Sequence, residues 1–209
     1  MTPIFITGTG TDVGKTVIAS IVTEALRADY WKPVQAGFSD GTDSLRVKDL
    51  ISNNKTKIHQ ELYLLEMPAS PHLSSAAEGK EIKIKNIIDH LPETKNQLII
   101  EGAGGLMVPL NKNELILDLI KKLKAPVMIV SKNELGSINH SLLTAAVLKK
   151  EKIKVFGWIF TEEYKNYQEE IAGWSGYPVI ASVKHLPVIS KETIKAEAKK
   201  MLPKLKSFL

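Results

Sequence analysis

The chain reads as one α/β domain spanning residues 1–209, a mostly parallel sheet covered by helices on both faces. Three observations predict it. Short apolar runs alternate with stretches whose apolar residues recur at helical spacing. A glycine-rich loop joins the first run directly to the first helix, and no repeat, low-complexity tract or linker divides the chain.

The first element is the run Ile4 to Thr7. It leads into Gly8-Thr9-Gly10-Thr11-Asp12-Val13-Gly14-Lys15-Thr16 and then a helix over 15–28, where Val17, Ile18, Ile21, Val22, Ala25 and Leu26 repeat at helical spacing. Strand, glycine-rich loop and Gly-Lys-Thr at a helix start form a nucleoside triphosphate cradle. Backbone N–H groups wrap the phosphates, Lys15 reaches the terminal ones, and the Thr16 hydroxyl suits magnesium. The general pattern places a glycine five residues before Gly14, where this chain has Thr9. The surrounding strand and helix carry the P-loop NTPase reading despite that mismatch.

Further strands are expected at Tyr30 to Val34, Gln97 to Ile100, Pro126 to Ser131, Val155 to Phe160 and Pro178 to Val183. Helices are expected over 43–52, 84–91, 114–123, 138–150, 164–174 and 190–207. Asn53 to Lys80, with Pro68, Pro71 and Gly79, reads as an ordered surface excursion. Ligands on parallel sheets sit at the carboxyl ends of the strands. Gly8 to Thr16, Lys32 to Gly37, Glu101 to Gly105 and Ser131 to Asn139 are therefore expected to gather on one edge.

Composition narrows the function classes. An apolar share of 44% with 24% charged residues is that of an ordinary globular domain. Cysteine is absent, which excludes disulfides, thiolate metal sites and a cysteine nucleophile. No apolar run approaches the roughly 18 residues of a membrane span, and no basic segment precedes the first strand, so the expectation is a cytoplasmic protein. The net charge of +5 raises the question of nucleic acid. Its lysines cluster where helices end, as at Lys121, Lys122 and Lys124 or Lys149 and Lys150, without interleaved aromatics, so no nucleic-acid partner is expected. The histidines, His59, His72, His90, His140 and His185, show no i, i+4 pair for a metal site.

Three more segments carry chemistry. Leu98 to Ile100 ends in Glu101 and the turn Gly102-Ala103-Gly104-Gly105, placing Glu101 as a magnesium-side carboxylate or, taken alone, as a solvated turn acid. Lys32, at a strand's carboxyl end, suits charge developing on a transferring phosphoryl group or an anionic substrate; the alternative is an edge lysine reaching solvent. Asp43 is either a second metal ligand or an acid in the first turn of a helix. At Gly136-Ser137-Ile138-Asn139-His140 a helix starts, with Ser137 as its N-cap or with open N–H groups for a carboxylate.

Together with Lys32-Pro33-Val34-Gln35 and Ser70-Pro71-His72, these segments resemble the dethiobiotin synthetases, ATP-dependent enzymes of biotin biosynthesis, over most of the chain. That family's P-loop is itself one residue longer than the general pattern. The resemblance implies ring closure of 7,8-diaminononanoate with carbon dioxide and ATP to dethiobiotin, through a carbamate and a carbamic-phosphoric mixed anhydride, releasing ADP and phosphate. It implies catalytic roles for Lys15 and Lys32, and nucleotide contacts from Asp12, Val13, Gly14, Lys15, Thr16, Val17, Asp43, Glu101, Gly102, Ala103 and Gly104. Magnesium would rest on Thr16, Asp43 and Glu101. The substrate would meet Ala36 and, across a two-fold homodimer interface, Gly136, Ser137, Ile138 and Asn139. No membrane partner is implied.

Departures from the family carry their own expectations. Ala36 stands where a hydroxyl residue is common, which leaves only backbone contacts to the diamine there. Thr161-Glu162 replaces an Asn-Asp pair, and Lys184-His185-Leu186-Pro187 replaces the usual base-side loop, so looser selection among nucleoside triphosphates is expected. Two other classes compete: a partitioning-type P-loop ATPase switch, whose signature lysine would fall at Gly10, and a non-catalytic nucleotide-binding regulator.

Overall fold

The computed structural model describes residues 1–165 and 167–208. Asn166, inside the helix expected over 164–174, and Leu209 lie outside the described residues. The described residues form nine strands and eight helices in the order β1 (Ile4–Gly8), α1 (Lys15–Leu26), β2 (Asp29–Trp31), β3 (Val34–Ala36), α2 (Asp43–Leu50), β4 (Ile58–His59), β5 (Tyr63–Leu65), α3 (Pro71–Ala77), α4 (Ile84–Asp89), β6 (Leu98–Gly105), α5 (Ile116–Leu123), β7 (Val127–Lys132), α6 (Ser137–Lys150), β8 (Val155–Thr161), α7 (Tyr167–Ser175), β9 (Val179–Val183) and α8 (Lys191–Lys206).

Seven strands make one sheet in the order β4-β2-β6-β1-β7-β8-β9, every pairing parallel. The continuous apolar runs follow from this, because a parallel sheet is covered on both faces. Alternate residues of each strand feed two separate cores. Phe5, Ile100, Val127, Ile129, Trp158 and Phe160 pack with α4 to α7. Ile4, Ile6, Ile99, Met128, Val130 and Ile159 pack with α1, α2 and α8. β1 lies between β6 and β7, so the loop after it opens at the middle of the carboxyl edge.

Two sequence expectations change. The run Tyr30 to Val34 is not one strand: β2 pairs with β6 and β4, whereas β3 pairs with β5 in a separate two-stranded parallel sheet. Pro33 stands at the break, lacking the N–H that a continuing ladder needs. The excursion from Asn53 to Lys80 is likewise more than surface. β4 extends the main sheet, β5 carries the fully buried Leu65, and α3 buries Pro71, Ser74 and Ser75.

Glu101 is not a turn residue either. β6 runs on to Gly105, with Ile6 opposite Glu101 and, after a register shift, Gly8 opposite Gly105. The glycines continue the strand because β1 supplies a partner edge alongside them. Gly102 permits close packing there, since a Cβ would lie 2.7 Å from Cε1 of Phe5.

Candidate active site

The site grows from the carboxyl ends of β1, β2 and β6. After β1 the chain wraps through Gly10 and enters α1 at Lys15. Gly14 immediately precedes the helix at φ 88°, a left-handed conformation that glycine adopts without a Cβ penalty. No side chain caps this helix start, so its first N–H groups stay open to an anion. The Lys15 ammonium folds back to donate to the Gly10 carbonyl at 2.8 Å, closing a ring of the cradle's own atoms. Burial holds the Lys15 pKa below its ordinary value of 10.5, with the neighbouring Lys32 charge adding to the effect and Glu101 opposing it.

Next to the cradle three side chains converge on Glu101, which is 1% exposed. Thr16 Oγ1 donates to Oε1 at 2.9 Å, Lys32 Nζ donates to the same oxygen at 3.2 Å, and the Tyr30 hydroxyl donates to Oε2 at 2.8 Å. Lys32 also bonds to Asp43 Oδ2. Burial alone would depress Lys32, but the Glu101 and Asp43 carboxylates outweigh it and hold the ammonium's pKa above its ordinary value. Burial likewise works against an ionised Asp43, and the Lys32 charge prevails to hold that carboxyl low. Tyr30 is pushed well above its ordinary range by burial and then by Glu101, so it stays a donor.

Local structure aims these groups. Thr42 caps α2 by accepting from the Leu45 N–H at 3.2 Å, which sets Asp43 in the first turn. Gln35 on β3 accepts from the Asp43 N–H at 3.3 Å and donates to the Gly37 carbonyl at 2.7 Å, tying α2 to the small sheet. Gly37, at φ 75°, lets that wall close against Pro68, where a Cβ would meet the proline Cβ at 2.7 Å.

These walls enclose a cavity of about 810 Å³. Asp12, Gly14, Lys15, Thr16 and Val17 line it, as do Lys32, Ala36, Asp43, Glu101, Ala103 and Gly104. Val13 and Gly102 do not: Val13 packs into the α1 core with its carbonyl accepting from Thr161 Oγ1 at 2.9 Å, and Gly102 backs onto Phe5. Gly136, Ser137, Ile138 and Asn139 also lie outside the cavity of this one chain. Ser137 is not the cap of α6; Gly136 occupies that position, and the buried Ser137 hydroxyl accepts from the Glu134 N–H at 3.4 Å.

Two participants escaped the sequence reading. Tyr30 sits two residues before Lys32, and the strand's period of two was the available signal that both point the same way. Arg46 lines the cavity three residues after Asp43, on the same side of α2. On the far side of the cradle, Asn133 donates to the Glu162 carbonyl at 3.2 Å and to Gln168 Oε1 at 2.9 Å, pinning the loop after β8. His185 Nδ1 lies 3.1 Å from Glu162 Oε1.

Comparison with known proteins shows the family and the fold. A family model described as an AAA domain matches residues 2–193. The chain is 44% identical over 202 residues to a protein of Christiangramia forsetii named ATP-dependent dethiobiotin synthetase BioD, covering 96% of each. A protein of Cytophaga hutchinsonii with the same name is 45% identical over 199 residues, 94% of this chain and 95% of that one. The chain belongs to the dethiobiotin synthetase family. Among solved structures, the septum site-determining protein MinD of Pyrococcus horikoshii, complexed with Mg-ADP, superposes with a TM-score of 0.57 at 18% identity over all of this chain and 93% of that one. A ParA family ATPase of Chlorobium tepidum gives 0.55 at 13% identity, covering 98% and 91%. These place the synthetase chain on the P-loop NTPase fold. Among the described residues no helix is long and apolar enough to cross a membrane.

Proposed function

We propose that this chain closes the ureido ring of dethiobiotin from 7,8-diaminononanoate, carbon dioxide and ATP. The observation that carries the reading is the convergence of Lys15, Thr16, Lys32, Asp43 and Glu101 on one cavity, in a member of the dethiobiotin synthetase family. In the proposed sequence one amine adds to carbon dioxide and loses a proton to give a carbamate. A carbamate oxygen takes the γ-phosphoryl group as ADP leaves. The second amine then attacks the carbonyl carbon of the mixed anhydride, phosphate departs and the attacking nitrogen loses a proton, leaving the cyclic urea. No side-chain nucleophile enters the sequence, and its intermediates are anionic. Lys15 and Lys32 are the groups that stabilise the growing charge, both buried where their fields are weakly screened.

The donor set fits magnesium. The Thr16 hydroxyl and the Asp43 and Glu101 carboxylates are all hard oxygens, and the single Lys32 ammonium between the two acids leaves one of their negative charges unbalanced. Among the described residues no three His, Asp or Glu side chains form a metal cage, so the ion would share these oxygens with nucleotide phosphates and water. When bound, it would neutralise charge on the phosphates. The Lys32 ammonium would then be free to turn from its two carboxylates toward the reacting oxygens.

The substrate carboxylate is assigned to Gly136 to Asn139 of a second copy in a homodimer. In support, these residues lie outside the chain's own cavity, and Leu135 and Leu143 stand exposed beside them. Mixing a Lys15→Ala chain with an Asn139→Ala chain tests it, because a shared site recovers one intact centre per mixed dimer.

The deciding experiment is phosphate release from magnesium-ATP and bicarbonate with and without the diamine, with the product checked by mass. Diamine-dependent release and a cyclic urea are expected. Hydrolysis that ignores the diamine but responds to DNA or lipid would replace the reading with a switch ATPase.

A further inference from the structure

The two oxygens of Glu101 face different worlds. Oε1 is shared by the Thr16 hydroxyl and the Lys32 ammonium on the cavity side, while Oε2 is held by the Tyr30 hydroxyl at 2.8 Å. Neither partner of that last bond has room to turn. Tyr30 is fully buried, and its strand is locked to β6 with Tyr30 opposite Ile99 and Trp31 opposite Ile100. β6 is held on its other edge by β1, with Ile6 opposite Glu101 itself. The Glu101 side chain is 0% exposed, so no solvent competes for Oε2.

A carboxylate anchored in this way offers one oxygen to the cavity. Two-oxygen ligation would need Oε2 to leave Tyr30 and the carboxylate to rotate, stranding a buried hydroxyl. Ion size makes this consequential. Magnesium takes single oxygens in a tight octahedron, whereas calcium has a larger, looser shell that commonly includes a carboxylate bound through both oxygens. We infer that Tyr30 is a positioning residue that keeps Glu101 a one-oxygen ligand and thereby biases the site toward magnesium over calcium. The inference rests on the reading of Glu101 as a magnesium ligand.

The test is metal competition on the protein loaded with a non-hydrolysable ATP analogue, with bound manganese followed by electron paramagnetic resonance while magnesium or calcium displaces it. Tyr30→Phe should weaken magnesium by about 10- to 100-fold, the usual effect of removing a hydrogen-bond partner of a metal ligand. Calcium should lose less, so the preference for magnesium falls by about tenfold or more. A merely structural role would move both ions together, and an unchanged ratio overturns the inference whether both affinities drop or neither does. Glu101→Gln separates the two readings. If it leaves magnesium affinity intact, the ligand assignment itself fails; if it abolishes binding while Tyr30→Phe preserves the ratio, only the role of Tyr30 fails.

A second readout uses the unmodified protein and does not depend on the variant folding. Infrared difference spectra with ¹³C-labelled glutamate report the separation of the two carboxylate stretches, which is wide for one-oxygen and narrow for two-oxygen ligation. A wide separation with both magnesium and calcium is expected, and a narrow one with either ion overturns the inference.

Discussion

Replacing Lys32 by Met removes a charge while keeping most of the side chain's length, so it isolates what the ammonium does. In the folded chain that ammonium is the direct partner of both Asp43 and Glu101, and the side-chain exposures are 7% for Lys32, 19% for Asp43 and 0% for Glu101. Breaking a buried pair by removing one member costs about 3–5 kcal/mol, because the remaining charge is left uncompensated. The lower end applies here, since Glu101 retains the Thr16 and Tyr30 hydrogen bonds and the field of Lys15. A loss of about 3 kcal/mol corresponds to a fall of roughly 6–12 °C in the melting temperature of a domain this size.

Magnesium should reverse part of that loss. An ion entering between the two carboxylates restores the missing positive charge, and at a hundred times its dissociation constant it adds about 2.7 kcal/mol. In the unmodified protein the same ion must first displace the Lys32 ammonium, so it should stabilise that protein less. The assay is urea unfolding of both proteins with magnesium and with EDTA, without nucleotide. Equal stabilisation of the two by magnesium would refute the idea that ammonium and metal compete for the same oxygens. Turnover is the second readout: Lys32→Met should lose about 10²- to 10³-fold in kcat while retaining nucleotide binding, as expected for a donor that acts on charge in the transition state. Near-normal kcat would remove Lys32 from the chemistry.

Three other outcomes are expected. Burial opposes ionisation of Asp29, but hydrogen bonds from Asn96, Thr94 and the Lys57 N–H prevail and hold its pKa below 3.8. A depressed acid stabilises the fold above its unfolded pKa and loses that contribution as pH falls through the folded value. The stability gap between the unmodified protein and Asp29→Asn should therefore be full near about pH 6 and shrink at about pH 3 and below; a gap that widens on acidification contradicts this. Gly102→Ala forces a methyl group to 2.7 Å from the Phe5 ring and should cost about 1–3 kcal/mol in urea unfolding, whereas a neutral effect would mean that the ring moves freely. Thr161 has no side-chain amide to offer the purine edge and its hydroxyl already donates to the Val13 carbonyl, so turnover with ATP and at least one other nucleoside triphosphate should be comparable at saturation; strict use of ATP would defeat that expectation.

The sheet was legible because parallel strands buried on both faces are written as uninterrupted apolar runs, and Ile4 to Thr7, Pro126 to Ser131 and Val155 to Phe160 appear in the structure almost as the sequence bounds them. β4 and β5 were not legible. Strands of two and three residues have no period to detect, and β5 forms only because β3 offers it an edge. The site was readable wherever chemistry and strand position coincide, as at Lys15, Thr16, Lys32 and Glu101. Tyr30 was hidden because a tyrosine in an apolar run looks like core, and only the neighbouring strand reveals that its hydroxyl meets a carboxylate.

Pro33 stands where the chain leaves the large sheet for the small one, whose strand β3 walls one side of the cavity. Had the ladder continued past Trp31, the backbone from Lys32 onward would lie in the main sheet beside β6, with its polar groups consumed by strand pairing. Instead the missing N–H ends β2, and the chain starts a second sheet whose first strand carries Gln35 and Ala36. Trp31 is thus the last residue paired in the large sheet, with Lys32 directly after it, while Gln35, by accepting from the Asp43 N–H, ties the first turn of α2 to the small one. The ammonium follows a strand of the large sheet, and the carboxylate it meets sits on α2, which packs on β4 of the large sheet and is tied to the small one through Gln35. The small sheet is braced from behind, where Gly37 closes on Pro68 and the Ser74 hydroxyl donates to the Met67 carbonyl at 2.7 Å.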